Sequence, residues 1–122
     1  MEYMLAFNES EGDFAERIDP NSATAKSRMG AWGEYIGAMM QAGITKGGNG
    51  LQPPHTGTTV RFRDGKRLVQ DGPIADTKEQ LGGYMIVDVP DLDTALGWAA
   101  KAPCAATGSV EVRPVLPPMR RG

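Results

Sequence analysis

The chain has 122 residues, of which 16 are glycine and 9 proline, so about a fifth of its positions interrupt regular structure rather than extend it. A hydrophobic fraction of 40% and a net charge of −2 exclude the composition of a disordered chain. The length suits a single domain over residues 1–122 that can bury one core without disulfides or a metal. Scattered basic residues and a slight acidic balance argue against a nucleic-acid partner, whose phosphates need a clustered Lys/Arg face. One cysteine, Cys104, and one histidine, His55, cannot make an internal disulfide or a zinc site of the usual Cys/His kind. No export signal stands at Met1–Glu9 and no apolar run reaches membrane-spanning length, so a cytoplasmic location and no membrane partner are expected.

Along the chain, Tyr3, Leu5 and Phe7 alternate with Met4 and Ala6, which predicts a first strand ending in the polar cluster Asn8 to Asp13. Asp19-Pro20 or Ser22 then offers a helix cap. Ala25, Met29, Trp32, Ile36 and Met39 fall at steps of four, three, four and three and predict one apolar helical stripe. Gly30, Gly33 and Gly37 lie in the same helix, each costing up to about 1 kcal/mol against Ala. They point to a backbone packed close to a sheet or a second subunit. Gly43 is the natural stop.

Ile44 to Pro54 predicts a short strand that breaks into a glycine-rich loop. Its Gly47-Gly48-Asn49-Gly50 matches neither a P-loop nor a dinucleotide fingerprint, and no cofactor is expected. Thr58 to Arg63 and Lys66 to Asp71 flank Asp64-Gly65, a strong hairpin signal. A strand from Tyr84 to Val89 follows Gly82-Gly83. Pro90-Asp91 opens a second helix with Leu92, Ala95, Leu96 and Ala99 on one face, Pro103 ends it, and Val110 and Val112 mark the last strand. The order predicts an α+β fold: a ferredoxin-like split βαβ arrangement with an inserted β-hairpin and both helices on one face of an antiparallel sheet. The bare sheet face predicts a homodimer with two sheets packed face to face.

The run Gln70-Asp71-Gly72-Pro73-Ile74-Ala75-Asp76-Thr77-Lys78-Glu79-Gln80-Leu81-Gly82-Gly83-Tyr84 closely resembles the signature of DGPF-type proteins of the YCII-related family. Gly50-Leu51-Gln52-Pro53, Thr58-Thr59-Val60-Arg61, Asp88 to Asp93 and Gly108 to Pro114 resemble its other blocks, in order. The resemblance implies a member of the dimeric α/β-barrel group. It does not settle a reaction, since most such proteins have no known function, many are encoded near extracytoplasmic-function sigma factors, and a few relatives perform dehydrochlorination or resemble lactone isomerases. The chain departs from the family pattern at Ile74, where Phe is usual, and at Asp76, where Glu is usual. It also has no histidine in the first long helix, so a His-Asp catalytic pair does not carry over.

Candidate site residues follow. Asp71, at a strand end before Gly-Pro, is a candidate proton-transferring group, with His55 as a second; each also has a plain reading, as an Asx-turn acceptor and as a surface loop residue. Trp32, Tyr35, Met39 and Met40 are candidates to line an apolar ligand pocket against the sheet or to belong to the core. Tyr84 and Lys78 complete the candidate ligand contacts, although Lys78 and Glu79 also read as a solvated pair. Cys104 reads as an unreactive small hydrophobe. The expected function is binding of a small organic molecule in an apolar pocket, with a cofactor-free lyase or isomerase step. The alternative is a non-catalytic ligand-sensing or sigma-factor-associated module.

Overall fold

The computed structural model describes residues 1–18 and 21–118. Strand β1 (Glu2–Ser10) leads into helix α1 (Glu11–Ile18), long helix α2 (Ala23–Gln41) and strand β2 (Thr45–Gly50); β3 (Thr58–Arg63) and β4 (Lys66–Asp71) form the hairpin, and β5 (Glu79–Asp88), α3 (Leu92–Ala100) and β6 (Ser109–Pro114) complete the chain. Four strands make one sheet in the order β2-β5-β1-β6, every neighbouring pair antiparallel. Strands β1 and β2 therefore run parallel with β5 between them, and β5 and β6 run parallel with β1 between them. This is the split βαβ order expected from the sequence, with β3 and β4 inserted as a separate two-stranded sheet.

Alternation sorts the sheet into two faces. Tyr3, Leu5 and Phe7 of β1 lie beside Met85 and Val87 of β5 and Val110 and Val112 of β6, and this face packs against Tyr35 and Met39 of α2 and Ala95 and Ala99 of α3. The other face carries Met4, Tyr84 and Ile86, half-buried, beside Glu111 and Arg113. Helix α2 starts at Ser22, whose hydroxyl accepts from the Ala25 N–H at 3.0 Å. Asp19-Pro20, the other candidate cap, lies outside the described residues.

Six expectations change. The polar segment after the first strand folds into α1, opened by a reciprocal cap: Ser10 N–H donates to Asp13 Oδ2 at 3.0 Å and Asp13 N–H donates to Ser10 Oγ at 3.3 Å. The inward stripe of α2 is Ala25, Trp32, Tyr35, Ile36 and Met39, while Met29 is exposed. Gly30, Gly33 and Gly37 face away from the sheet, and nothing stands within 4 Å of where their Cβ atoms would lie. The glycine run expected to be a loop is itself strand β2. A Cβ at Gly48 would strike the Tyr84 carbonyl oxygen and lie 2.8 Å from Met85 Cα, so glycine here answers a close backbone approach. Strand β5 also begins at Glu79, five residues before the expected start, and α3 buries its alanines while Leu92 and Leu96 stay exposed.

The hairpin turns on Asp64 and Gly65, both at positive φ (51° and 73°), as a primed two-residue turn requires. Helix α1 is fixed by buried Asp13. Its carboxylate takes an ion pair from Arg28 of α2 at 3.0 Å and hydrogen bonds from the Thr107 hydroxyl at 2.9 and 3.2 Å. One side chain thus joins α1, α2 and the loop before β6. Asp13→Ala removes a buried acceptor from the half-buried Arg28 and is expected to cost about 2 kcal/mol in urea unfolding, whereas exposed Asp93→Ala, away from this junction, should change stability by under about 0.5 kcal/mol.

Candidate functional site

Between α2 and the sheet lies a cavity of about 330 Å³. Phe7 of β1 and Trp32 and Ile36 of α2 form its apolar walls, and Met85 of β5 closes one end. The rings meet edge to face: Phe7 and Trp32 have centroids 5.0 Å apart at 71°, and Trp32 and Tyr35 5.9 Å apart at 73°. The opposite wall is glycine, with Gly48 and Gly50 on β2 and Gly82 and Gly83 on β5. Gly83 has Asn49 O 2.9 Å from where its Cβ would be, so the two strands touch backbone to backbone and leave no side chain to fill the space above them.

One polar side chain enters this cavity from the core face. Glu9 follows Tyr3, Leu5 and Phe7 in the alternation of β1, and it is 2% exposed. The β1–β5 register shifts between Phe7 and Asn8, which leaves Gly82 without a partner in the ladder, and the Glu9 carboxylate occupies the room a side chain at Gly82 would take. Sequence reading missed Glu9 by ending the strand at Phe7. One further step of the same period-two pattern places a carboxylate at a core position, and that was the available signal.

The Glu9 charge is felt nearby. Burial, with the Glu9 charge second, pushes the Cys104 thiol up to about 12, against the weaker opposing pull of Arg28. Cys104 is 0% exposed, in keeping with the inert hydrophobe expected. Tyr35 and Met39 lie beneath the cavity in the core; the Tyr35 hydroxyl donates to the Trp98 carbonyl oxygen at 2.9 Å, and burial raises its pKa. Of the expected apolar pocket residues, Trp32 and Tyr84 border the cavity. By strand alternation the Tyr84 ring belongs to the far face, where its hydroxyl lies 3.3 Å from Asn49 Oδ1.

Asp71, His55 and Lys78 come together in a different place, an open hollow of about 560 Å³ between α1, the Pro53–His55 turn, the end of β4 and residues 76–78. The backbone around it is tied down: Gly72 N–H donates to Gly57 O at 2.8 Å, the Thr59 hydroxyl donates to Gly72 O at 2.8 Å, and Gln70 Nε2 donates to Pro73 O at 2.9 Å. Among the described residues the side chains of Asp71, His55 and Lys78 have no hydrogen-bond or ion-pair partner. The Asx turn weighed for Asp71 is therefore not formed, and Gly72 makes the turn at φ +84° instead. Glu79 does not pair with Lys78; its carboxylate accepts from the Ser109 hydroxyl at 2.6 Å. No group of three His, Cys, Asp or Glu able to hold a metal occurs among the described residues.

A model of the YCII-related domain matches residues 1–118. The chain belongs to the YCII-related family. Over 67 residues this YCII-related chain is 45% identical to uncharacterised protein R00369 of Rhizobium meliloti (strain 1021), a match covering 53% of this chain and 54% of the relative. The chain thus aligns with about half the length of that curated relative. Among solved structures it is similar in fold to TftG, the 5-chloro-2-hydroxyhydroquinone dehydrochlorinase of Burkholderia phenoliruptrix AC1100 in complex with 2,5-dihydroxybenzoquinone, with a TM-score of 0.52 and 15% identity over 95% of this chain and 94% of that one. No helix among the described residues of the YCII-related chain is long and apolar enough to cross a membrane.

Cys104 gives a direct check on the packing of the core. Because the folded thiol titrates near 12 and the exposed one near 9, protonation of Cys104 supports the fold below about pH 9 and that contribution is lost as pH rises toward 12. Iodoacetamide at pH 8 should leave the native protein unlabelled and label it rapidly in urea; fast labelling of the native protein would show that the core around Cys104 opens.

Proposed function

We propose that the protein binds a small cyclic organic molecule in the cavity between α2 and the sheet, and that Glu9 is the polar group that orients it. The observation that carries this reading is a buried carboxylate on the wall of a mostly apolar, glycine-floored cavity of about 330 Å³, within the size range of small-molecule sites. The aromatic walls of Phe7 and Trp32 suit a flat ring, and the glycine wall lets that ring lie close to the backbone of β2 and β5. Glu9 accepts a hydrogen bond from a ring hydroxyl, an interaction strengthened by the low local dielectric.

The same group serves a cofactor-free lyase or isomerase step. In an isomerisation Glu9 takes a proton from one carbon and returns it to another, ending as it began. In an elimination it takes the proton while the leaving group departs with the electron pair of its bond to carbon. Support for this class comes from the family, from the fold shared with a dehydrochlorinase, and from the position of Glu9. Asp71 and His55, the groups proposed from the sequence, line the other hollow and are assigned no part in this step.

Isothermal titration with 2,5-dihydroxybenzoquinone and with catechol tests the reading. At least one should bind saturably, and Glu9→Gln should weaken that binding about tenfold or more with the circular dichroism unchanged, while Asp71→Asn leaves it as it was. Absence of saturable binding by either compound, or equal loss in Asp71→Asn, would contradict it.

A further inference from the structure

The run Gln70–Gln80 has no part in the Glu9 cavity, yet most of its residues line the open hollow of about 560 Å³. Helix α1 and the Pro53–His55 turn supply the rest of that lining. Phe14, Pro53, Pro54 and Pro73 make part of it apolar, and all four are buried or half-buried. Charged groups of both signs border the same space. Glu11, Asp71 and Asp76 stand against Lys78, with the His55 imidazole as a further donor.

None of these charges is engaged by the fold. An aspartate at a turn ordinarily accepts from a nearby backbone N–H. Here Gly72 makes the turn, Gln70 Nε2 donates to Pro73 O at 2.9 Å, and Gln80 Nε2 donates to Ala75 O at 2.8 Å and to Thr77 Oγ1 at 3.0 Å. Two uncharged amides therefore hold residues 73–78 in place, and the carboxylates beside them are not needed for it. Among the described residues the side chains of Glu11, Asp71, Asp76, His55 and Lys78 make no hydrogen bond or ion pair, although opposite charges border one hollow. The local structure leaves both signs of charge available to a solute.

We propose that the hollow is a second ligand site, for a small amphoteric molecule of the amino-acid class with an aliphatic body. Its ammonium group meets Asp71 and Asp76, its carboxylate meets Lys78 and His55, and its aliphatic part covers the prolines. Three acids against one lysine disfavour a simple anion, and Lys78 disfavours a simple amine, so the pair of charges on one molecule is what the site selects. This ligand differs in class from the flat ring assigned to the Glu9 cavity. The two sites stand or fall separately.

The test is an amide chemical-shift titration of the full chain with L-leucine, 3-methylbutylamine and 4-methylpentanoate, which share one aliphatic body and differ in charge. Leucine should bind saturably with its largest shifts on residues 71–78, and each singly charged analogue should bind about threefold or more weakly, the scale of an exposed charge pair. Asp71→Asn and Lys78→Gln should each weaken leucine binding about threefold or more with the circular dichroism unchanged. Lys46→Gln, an exposed lysine at the opposite end of β2 from the hollow, should leave it as it was. The proposal is overturned if leucine does not bind saturably, if its shifts centre on Phe7 and Glu9, if either analogue binds as tightly as leucine, or if both hollow variants bind it like the parent.

Discussion

The contact between Phe7 and Trp32 organises the molecule. Edge-to-face pairs of this kind add about 0.5–1.5 kcal/mol beyond the area they bury, and Tyr35 extends the cluster by meeting both rings at about 6 Å. The cluster holds α2 over β1 at one place. Toward β2 and β5 the same helix finds glycine backbones instead of side chains, so the space between is left open rather than filled. A close-packed interior seldom keeps such a void without use. Trp32 thus belongs to both the core and the cavity, and the helix cannot be moved without losing either.

Glu9 is the second consequence of that geometry. It occupies the next inward position after Phe7, where continuation of the apolar pattern would fill the cavity. Placing a carboxylate there is costly unless its surroundings compensate. The shift in the β1–β5 register and the missing side chain at Gly82 make the room. Asp13 and Arg28 join the neighbouring helices by an ion pair whose carboxylate is buried and whose guanidinium is half-buried.

Much of the fold was legible in the sequence because its periods are clean. The alternation Tyr3-Leu5-Phe7, the stripe from Ala25 to Met39, the Asp64-Gly65 turn and the Ser22 and Asp91 caps each correspond to a feature of the structure. Helix α1 was hidden because its capping pair, Ser10 and Asp13, lies in a segment too polar to show a stripe. The glycine part of strand β2 was hidden because glycine is ordinarily a loop signal, and the close approach that demands it depends on β5, more than thirty residues away. The candidate site was legible only in part. Trp32 and Tyr84 border the cavity as expected, while Tyr35 and Met39 serve the core. Asp71, His55 and Lys78 do assemble, but in their own hollow, since local turn chemistry marks a residue as exposed at a junction without saying which cavity the junction borders. Glu9 needed only one more step of a pattern already recognised.

The central claim is that the glycine-floored cavity beside Glu9 is the ligand site of this YCII-related protein. An amide chemical-shift titration of the isotope-labelled chain against a library of hydroxylated monocyclic aromatics tests it most directly. The account predicts hits whose largest shifts fall together on Phe7, Glu9, Gly48, Gly82 and Gly83. Hits confined to residues around His55, Asp71 and Lys78, or a library with no hits, would contradict it.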